Sequence, residues 1–316
     1  MLYTIMHTNV DREYYESLSV EFTPNINKFR TGNRREHCIV DKKILKKLDL
    51  KVGAQIRIIR PSIHDNPMAI YTIIGIHEEN LRTVFVGYSE PEDLKSRLDL
   101  NTTESFTGNI DSQVITLGIS EKKAKEQGEF IELLKKKSDK AKIAILAPHG
   151  GDIERYTDDQ AKYMYDVLSS DLATSWVCKG FRPTGGAFDR WHITSTEISE
   201  ESFPGLKSII KRQFKYAIAF HGWKHDDICI GGSMSTELKK DIKHAILKAI
   251  FDSKIQIHTD YEKDCIKDFN GDNPRNIVNR LSSQSLQIEQ SVKARKNYGI
   301  KIAQAIVNVL DPLLVD

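Results

Sequence analysis

Two histidines, each at the end of an apolar run and followed by glycine, have the residue type and placement that suit metal chemistry. The run ILAP leads into His149 and two glycines, and the run AIAF leads into His221 and one glycine. Neutral imidazole binds zinc well, and two histidines with one carboxylate form a known catalytic zinc set that leaves one position for water. Two ordinary hydrogen-bonded histidines at loop starts are the structural alternative. The repeated placement favours a metal.

The carboxylate that would complete this set is not decided by spacing. Asp152 lies three residues after His149, and Glu154 lies five residues after it. The intervening glycines allow tight turning, so the loop could present either side chain. Further along, Glu289 ends the alternating run LQIE, and its spacing alone reads as a solvent-facing strand residue.

Alternating strands and helices in the C-terminal half would bring these groups together. Apolar, strand-like runs and runs with helical spacing follow one another over 142–148, 160–172, 174–181, 203–214, 216–222, 227–232, 236–253, 285–290 and 291–310. This pattern predicts an α/β domain over 142–316, with a mixed open sheet flanked by helices. Functional groups in such sheets gather at the carboxyl ends of the strands.

The N-terminal half has a different character. We expect an arm over 1–35, a small β-rich domain over 36–118 and a charged, partly helical linker over 119–141. Within the β-rich domain, ILKKLDL at 44–50 echoes DLKSRLDL at 93–100. A helix, turn and strand after the first copy resemble the repeat of double-psi β-barrels, although two unrelated amphipathic turns explain the echo equally well.

Composition narrows the class of protein. The formal net charge is +2 and charged residues make up 28%, so the sequence gives no clear nucleic-acid signal. The four cysteines show no CxxC spacing, and we expect them to be reduced. No signal peptide and no run of 18 apolar residues is visible, which predicts a cytoplasmic protein without a membrane span. The chain also lacks a P-loop and a GxSxG motif, which disfavours nucleotide chemistry and a serine hydrolase.

Five blocks then carry a resemblance to a known family. HGGDIE at 149–154 is similar to the His-Gly-Gly-x-Ile-Glu signature of the poly-γ-glutamate hydrolase family, which comprises phage and bacterial zinc peptidases with a carboxypeptidase-like α/β core. The other blocks follow in the family's order: RWHITST at 190–196, IAFHGW at 218–223, ICIGGS at 228–233, and NIVNR at 276–280 with SLQIEQSVKAR at 285–295. The resemblance covers roughly residues 142–310.

The resemblance implies roles for particular residues. Zinc would be bound by His149, Glu154 and His221, with Asp152 at the variable position of the signature, and Glu289 would be the general base. His192, Arg190 and Arg280 are candidates for binding the substrate or its oxyanion; a loop-bonded histidine and surface arginines are the structural alternatives. The implied activity is zinc-dependent hydrolysis of amide bonds in an acidic peptide, with γ-glutamyl linkages as the family's substrate.

Two departures from the family pattern motivate a second hypothesis. RYTDDQ at 155–160 stands where the family has small residues and a Ser-Glu pair, and LSSQ at 281–284 replaces glycine-rich sequence. Both lie near the expected cleft. A non-catalytic binding or regulatory protein on a degenerate hydrolase fold is therefore the alternative to an enzyme.

Overall fold

The chain forms an N-terminal β-barrel and then a larger α/β unit. The computed structural model describes residues 15–22, 34–60, 67–78, 83–87, 97–98, 105–168, 171–251, 253–262, 265 and 267–315.

Six strands close the barrel, in the order β1-β5-β2-β4-β3-β6. They are β1 Tyr15–Phe22, β2 His37–Asp41, β3 Gln55–Ile59, β4 Met68–His77, β5 Thr83–Val86 and β6 Ser105–Asp111. Ile56 and Ile58 alternate along β3 and are fully buried in the barrel core, because residues two apart on a strand share a face. Helix α1, Lys42–Lys47, follows β2 and begins where the Asp41 carboxylate accepts a hydrogen bond from the Lys43 N–H.

The barrel extends beyond the predicted β-rich domain. Strand β1 lies in the segment where we expected an arm, and it pairs with β5 and β6 to close the barrel. The expectation of an arm is therefore wrong for residues 15–22. The second copy of the internal echo lies largely outside the described residues, and the double-psi resemblance stays a prediction.

A seven-stranded mixed sheet, in the order β12-β11-β13-β10-β8-β9-β7, forms the centre of the second unit. Its strands are β7 Phe130–Lys136, β8 Ile143–Gly151, β9 Ala173–Gly180, β10 Tyr216–Gly222, β11 Ile228–Gly231, β12 Ile257–Thr259 and β13 Ser285–Gln290. The four central strands are parallel, whereas β7 and β11 run antiparallel to the strands that they join to this core. The predicted α/β class with a mixed sheet is confirmed.

Helices cover both faces of the sheet, which explains why β8 and β10 each begin with a continuous apolar run. The helices of this unit are α2 Glu121–Gln127, α3 Thr157–Val167, α4 Ala187–Trp191, α5 Pro204–Lys207, α6 Thr236–Ala249, α7 Ile277–Leu281 and α8 Val292–Val315. On β8, Ile143 and Ile145 join the core that contains α3, α6 and α8. Ala144 and Leu146 join the opposite core, which contains α4, α5 and α7.

Two sequence expectations differ from the structure in this unit. The segment 119–141 is not a linker, since α2 and β7 occupy much of it and β7 pairs with β9 along seven residues. Its lysines and glutamates suggested a solvated connection, but an edge strand tolerates such residues. The helix expected over 203–214 is also shorter: α5 ends at Lys207, and turns follow it.

The expectation that all four cysteines are reduced is wrong for two of them. Cys229 on β11 and Cys265 form a disulfide across 36 positions, with their Cα atoms 5.6 Å apart. Cys38 and Cys178 are free and buried. The pairing has no local sequence signal, because the fold alone brings the two residues together.

Among the described helices, only α8 has the length and mean hydropathy, 1.3, to cross a membrane. Its buried face, which includes Ile302, Ile306 and Leu310, lies in the core that also contains residues of α3 and α6. This packing is typical of a core helix.

Candidate metal site

Strand pairing places His221 beside Glu289. The two residues are register partners on the parallel strands β10 and β13. Their chain neighbours Phe220 and Ile288 point into the core under α3, α6 and α8. Since side chains alternate along a strand, His221 and Glu289 both project from the other face, at the carboxyl ends of their strands.

The loop after β8 folds back on itself and carries Glu154 to His149. Gly151 has a φ of +70°, a conformation that favours glycine. The Glu154 N–H then donates to the His149 carbonyl at 2.8 Å, and the Thr157 hydroxyl donates to the Glu154 carbonyl at 2.9 Å. The Asp158 carboxylate accepts the Gly151 N–H at 3.2 Å. This closed loop fixes a carboxylate next to the histidine five residues earlier.

Three side chains from the ends of two neighbouring strands, β8 and β10, converge. His149 Nδ1 lies 3.0 Å from Glu154 Oε1 and 3.2 Å from His221 Nδ1, and His221 Nδ1 lies 3.4 Å from Glu154 Oε2. Ligands about 2.0–2.1 Å from a tetrahedral zinc ion are separated by roughly 3.3 Å, so these spacings fit one shared ion. All three side chains are buried, which leaves the donors with few competing water contacts.

The tautomer of His149 also suits a metal ligand. Its Nε2 lies 2.7 Å from the Ile193 carbonyl oxygen, which can only accept a hydrogen bond. With a metal bound, neutral His149 would keep its proton on Nε2, and Nδ1 would present its lone pair beside His221 and Glu154. Such a backbone partner is the usual way in which the orientation of a metal-binding histidine is fixed. The donor set needs a shared proton or cation to be electrostatically satisfied.

Glu154 is held in its charged form. Burial would raise the pKa of this carboxyl, but hydrogen bonds with His149 and His221, and coulombic attraction to them when they are protonated in the metal-free protein, hold it well below its usual range. Its Oε2 also accepts the Gly222 N–H at 2.9 Å. An ionised carboxylate is the form that binds a divalent metal.

Glu289 has the opposite electrostatic character. Burial raises the pKa of its carboxyl to about 7; Glu154 adds to the rise, and His221 and Arg295 oppose it. Gln287 Nε2 donates to Glu289 Oε1 at 3.0 Å, and Asn276 donates to the Gln287 amide oxygen at 2.6 Å. These two linked hydrogen bonds orient the Glu289 carboxyl and leave its Oε2 for other contacts. A pKa near neutrality suits a general base.

His192 lies at the border of the same cluster. Its ring centroid is 4.3 Å from that of His149, and its Nε2 is 3.9 Å from Glu154 Oε1. His149, Glu154 and His192 also offer donor atoms within 4.8 Å of one another, as an alternative metal set. His221 Nδ1 lies within 3.4 Å of both His149 Nδ1 and a Glu154 oxygen, which is closer than the 3.9 Å between His192 Nε2 and Glu154 Oε1. Burial lowers the pKa of His192 well below its usual value, and the neighbouring His149 adds to this effect.

The other predicted site residues are placed differently. Asp152 points toward Arg155, with 3.5 Å between its carboxylate and the Arg155 guanidinium, and so lies outside the donor cluster. Arg280 forms an ion pair with Glu200 and donates to the Ile198 carbonyl at 2.8 Å. Arg190 is buried on α4. The substrate-binding roles of His192, Arg190 and Arg280 stay predictions.

Arg295 is a residue of the site that the sequence did not single out. It lies on α8, and its guanidinium donates to the carbonyls of Gln290 and Arg155, the latter at 2.8 Å. A Cβ atom at Gly222 would overlap this guanidinium, so the glycine makes room for it. Burial lowers the pKa of Arg295, and the nearby carboxylates of Glu154 and Glu289 partly oppose this lowering. The block SLQIEQSVKAR ends at this residue, which was the available signal.

The segment that departs from the family pattern has structural partners here. In RYTDDQ, Thr157 and Asp158 hold the loop as described above, and Gln160 exchanges hydrogen bonds with Gln290 at 2.9 and 3.0 Å. Lys179 forms an ion pair with Asp158 at 2.8 Å. The RYTDDQ segment therefore supports the loop that carries Glu154, although its sequence departs from the family pattern.

Similar solved structures include a bacteriophage poly-gamma-glutamate hydrolase, with 20% identity, a TM-score of 0.45, and coverage of 58% of this chain and 89% of that chain. The zinc-free form of YNDL has 20% identity, a TM-score of 0.46, and coverage of 57% and 89%. A putative carboxypeptidase from Burkholderia mallei has 11% identity, a TM-score of 0.38, and coverage of 68% and 72%. No curated protein sequence matches.

The family match covers both the candidate site and all seven strands of the sheet. The sequence profile described as poly-gamma-glutamate hydrolase matches residues 120–304, more than half of the chain. Its lower bound includes α2 and β7, in agreement with their place in the fold. The chain belongs to the poly-gamma-glutamate hydrolase family.

Proposed function

We propose that this protein is a zinc-dependent hydrolase of amide bonds, with γ-glutamyl linkages in an acidic peptide as its substrate. His149, Glu154 and His221 would hold the ion, and Glu289 would be the general base. The observation that carries the proposal is the convergence of two imidazole nitrogens and one carboxylate within 3.4 Å, beside a second, buried carboxyl.

The two carboxyl groups have environments that suit different tasks. A bound zinc ion would polarise the scissile carbonyl and acidify water at this position. Glu154 stays ionised and contributes charge to the metal site. Glu289, with its raised pKa, accepts a proton from the attacking water and delivers it to the leaving amine, a step typically worth about 10²–10⁴-fold in rate.

The first experiment measures metal content and turnover together. Wild-type protein should bind about one zinc ion per chain and hydrolyse a γ-glutamyl amide. His221→Asn should lose both properties because it removes one ligand nitrogen. Glu289→Gln should keep the zinc and lose turnover by about 10²–10⁴-fold. His244→Asn, at an exposed histidine on α6, is the matched control and should change neither.

Opposite results would reject separate parts of the proposal. Normal turnover by Glu289→Gln would remove the base assignment while leaving the metal site intact. Full zinc content in His221→Asn would transfer the third ligand position to His192, which the same assay can test with His192→Asn.

Substrate class needs its own comparison. The γ-glutamyl preference is supported by the family to which the chain belongs. Matched dye-labelled γ-glutamyl, α-glutamyl and glutaminyl peptides would separate linkage from charge. Equal kcat/KM for all three would refute the preference and leave a general amidohydrolase.

The binding-only alternative has less support. His149, Glu154, His221 and Glu289 are all retained and adjacent. The departing 155–160 segment keeps its contacts with the metal-binding loop. These features support catalysis.

A further inference from the structure

The barrel contacts the segment 190–202, which borders the candidate metal site. Gln55 on β3 donates to the Glu197 carbonyl at 2.8 Å and accepts the Ser199 N–H at 3.1 Å. The Gln55 N–H donates to the Ser202 hydroxyl at 2.8 Å. These bonds join one barrel strand to the far end of the segment.

Arg97 joins the barrel to the near end of the same segment. Its side chain is buried, and its guanidinium donates to the Ile70 carbonyl on β4 at 2.7 Å. The same guanidinium donates to the Arg190 carbonyl at 3.4 Å and to the His192 carbonyl. Arg97 therefore bridges the barrel wall and the backbone at the end of α4.

An arginine suits position 97 because its guanidinium lies at the C-terminal end of helix α4. The last carbonyls of a helix lack partners within the helix and carry partial negative charge. Helix α4 ends at Trp191, and the guanidinium supplies donors to two carbonyls around that end. A planar, permanently charged group with several donors can satisfy carbonyls from both units at once.

The next residue along the chain connects this bridge to the metal site. Ile193 follows His192, and its carbonyl accepts the Nε2 proton of His149 at 2.7 Å. That hydrogen bond determines which nitrogen of His149 faces Glu154 and His221. The position of the 190–193 backbone therefore controls the orientation of one proposed ligand.

We propose that the barrel contributes to the hydrolase site through Arg97, which is a positioning residue. Arg97 holds the 190–193 backbone in place, so that the Ile193 carbonyl orients His149 for the metal. The inference rests on the proposed role of His149 as a ligand. It assigns the N-terminal unit a task within this site.

A purely structural role for Arg97 makes a different prediction. In that case its loss would lower stability but leave the metal affinity of the folded protein unchanged. A positioning role lowers the metal affinity of protein that is still folded. Loss of a group that orients a metal ligand typically weakens metal binding or activity by about 10–100-fold.

The experiment measures zinc affinity of the full chain by competition with a chromogenic chelator, after the metal is removed and folding is verified by circular dichroism. Arg97→Met should bind zinc about 10–100-fold more weakly than wild type. Arg97→Lys, which keeps the charge but has fewer donors, should recover part of the loss. Gln55→Met is the control because it removes buried bonds to Glu197 and Ser199 but leaves 190–193 untouched. Its zinc affinity should equal that of wild type.

The possible results distinguish the role of Arg97 from the proposed function. Folded Arg97→Met with wild-type zinc affinity would overturn the inference and leave the proposed function standing. Equal losses in Arg97→Met and Gln55→Met would also overturn it, because any loosening of the barrel contact would then suffice. Failure of wild type to bind zinc would reject the proposed function itself. Should Arg97→Met not fold, Arg97→Lys decides the question: affinity equal to wild type counts against positioning.

Discussion

Glu289→Gln should make the metal-free protein more stable at pH 8, although it removes the proposed base. Burial and the nearby Glu154 carboxylate raise the pKa of Glu289 above its ordinary value of 4.5 to about 7. The native state therefore binds this proton more tightly than the unfolded chain does. Stability is lost as the pH rises through the window from 4.5 to about 7, and the full loss remains above it.

The size of the effect follows from that window. A rise in pKa from 4.5 to about 7 corresponds to about 3 kcal/mol of lost folding free energy at pH 8, since each pKa unit contributes about 1.4 kcal/mol. Glutamine has no charge to desolvate, and its carbonyl can still accept the Gln287 Nε2–H that Glu289 Oε1 accepts. The variant should therefore regain most of this free energy at pH 8 and little at pH 5.

Urea unfolding of the chelated protein at pH 5 and pH 8 measures the gain. Glu132→Gln is the matched control, because Glu132 is also buried with a raised pKa, but its two oxygens accept N–H groups from Trp176, Gly205 and Leu206. A glutamine amide would leave one of those donors without an acceptor, at a cost of about 1–3 kcal/mol. Glu289→Gln with no gain at pH 8, or with an equal gain at both pH values, would refute the reasoning.

Three further predictions concern other features of the site and sheet. Gly222→Ala should destabilise the protein by about 1–3 kcal/mol in urea unfolding, because its Cβ would overlap Arg295, whereas the control Gly75→Ala, with its nearest contact at 3.6 Å, should change stability less. Zinc at 100 times its Kd should stabilise the chelated protein by about 2.7 kcal/mol, and His221→Asn should show no such gain in thermal unfolding. Unreduced, denatured protein should titrate with two free thiols, whereas four free thiols would contradict the disulfide. Cys229→Ser should lower the free energy of unfolding by about 3–4 kcal/mol, because the disulfide closes a loop that spans 36 positions.

The two histidines of the site could be predicted from the residues alone because each ends a strand that is apolar enough to be recognised, whereas the family resemblance was needed to indicate Glu289. His149 and His221 stand at such strand ends, and Glu289 occupies the register position beside His221. Spacing could not choose between Asp152 and Glu154, because the choice depends on how a glycine-containing loop closes. The family signature favours Glu154, whose carboxylate lies beside His149 in the structure, whereas that of Asp152 lies beside Arg155.

The missed parts depend on contacts between distant positions. Arg97 reaches the site from the barrel, and Arg295 reaches it from the last helix, so neither has a neighbour in sequence that announces it. Strand β7 was missed because charged residues follow Phe130 and Ile131, and these two residues are buried by contacts with distant parts of the chain, such as those of Phe130 with Trp191 and Phe203. The Cys229–Cys265 disulfide likewise has no signal in the local sequence, because 36 positions separate the two cysteines.

The two ends of the seven-stranded sheet also bear on how the protein behaves in concentrated solution. At one end β7 finishes with the exposed residues Lys135 and Lys136, and at the other end β12 contains only three residues, Ile257–Thr259. A long, flat, apolar edge invites strands from other molecules, whereas lysines and short strands discourage such addition. Copies of this protein therefore have little opportunity to aggregate by extending the sheet from one molecule to the next.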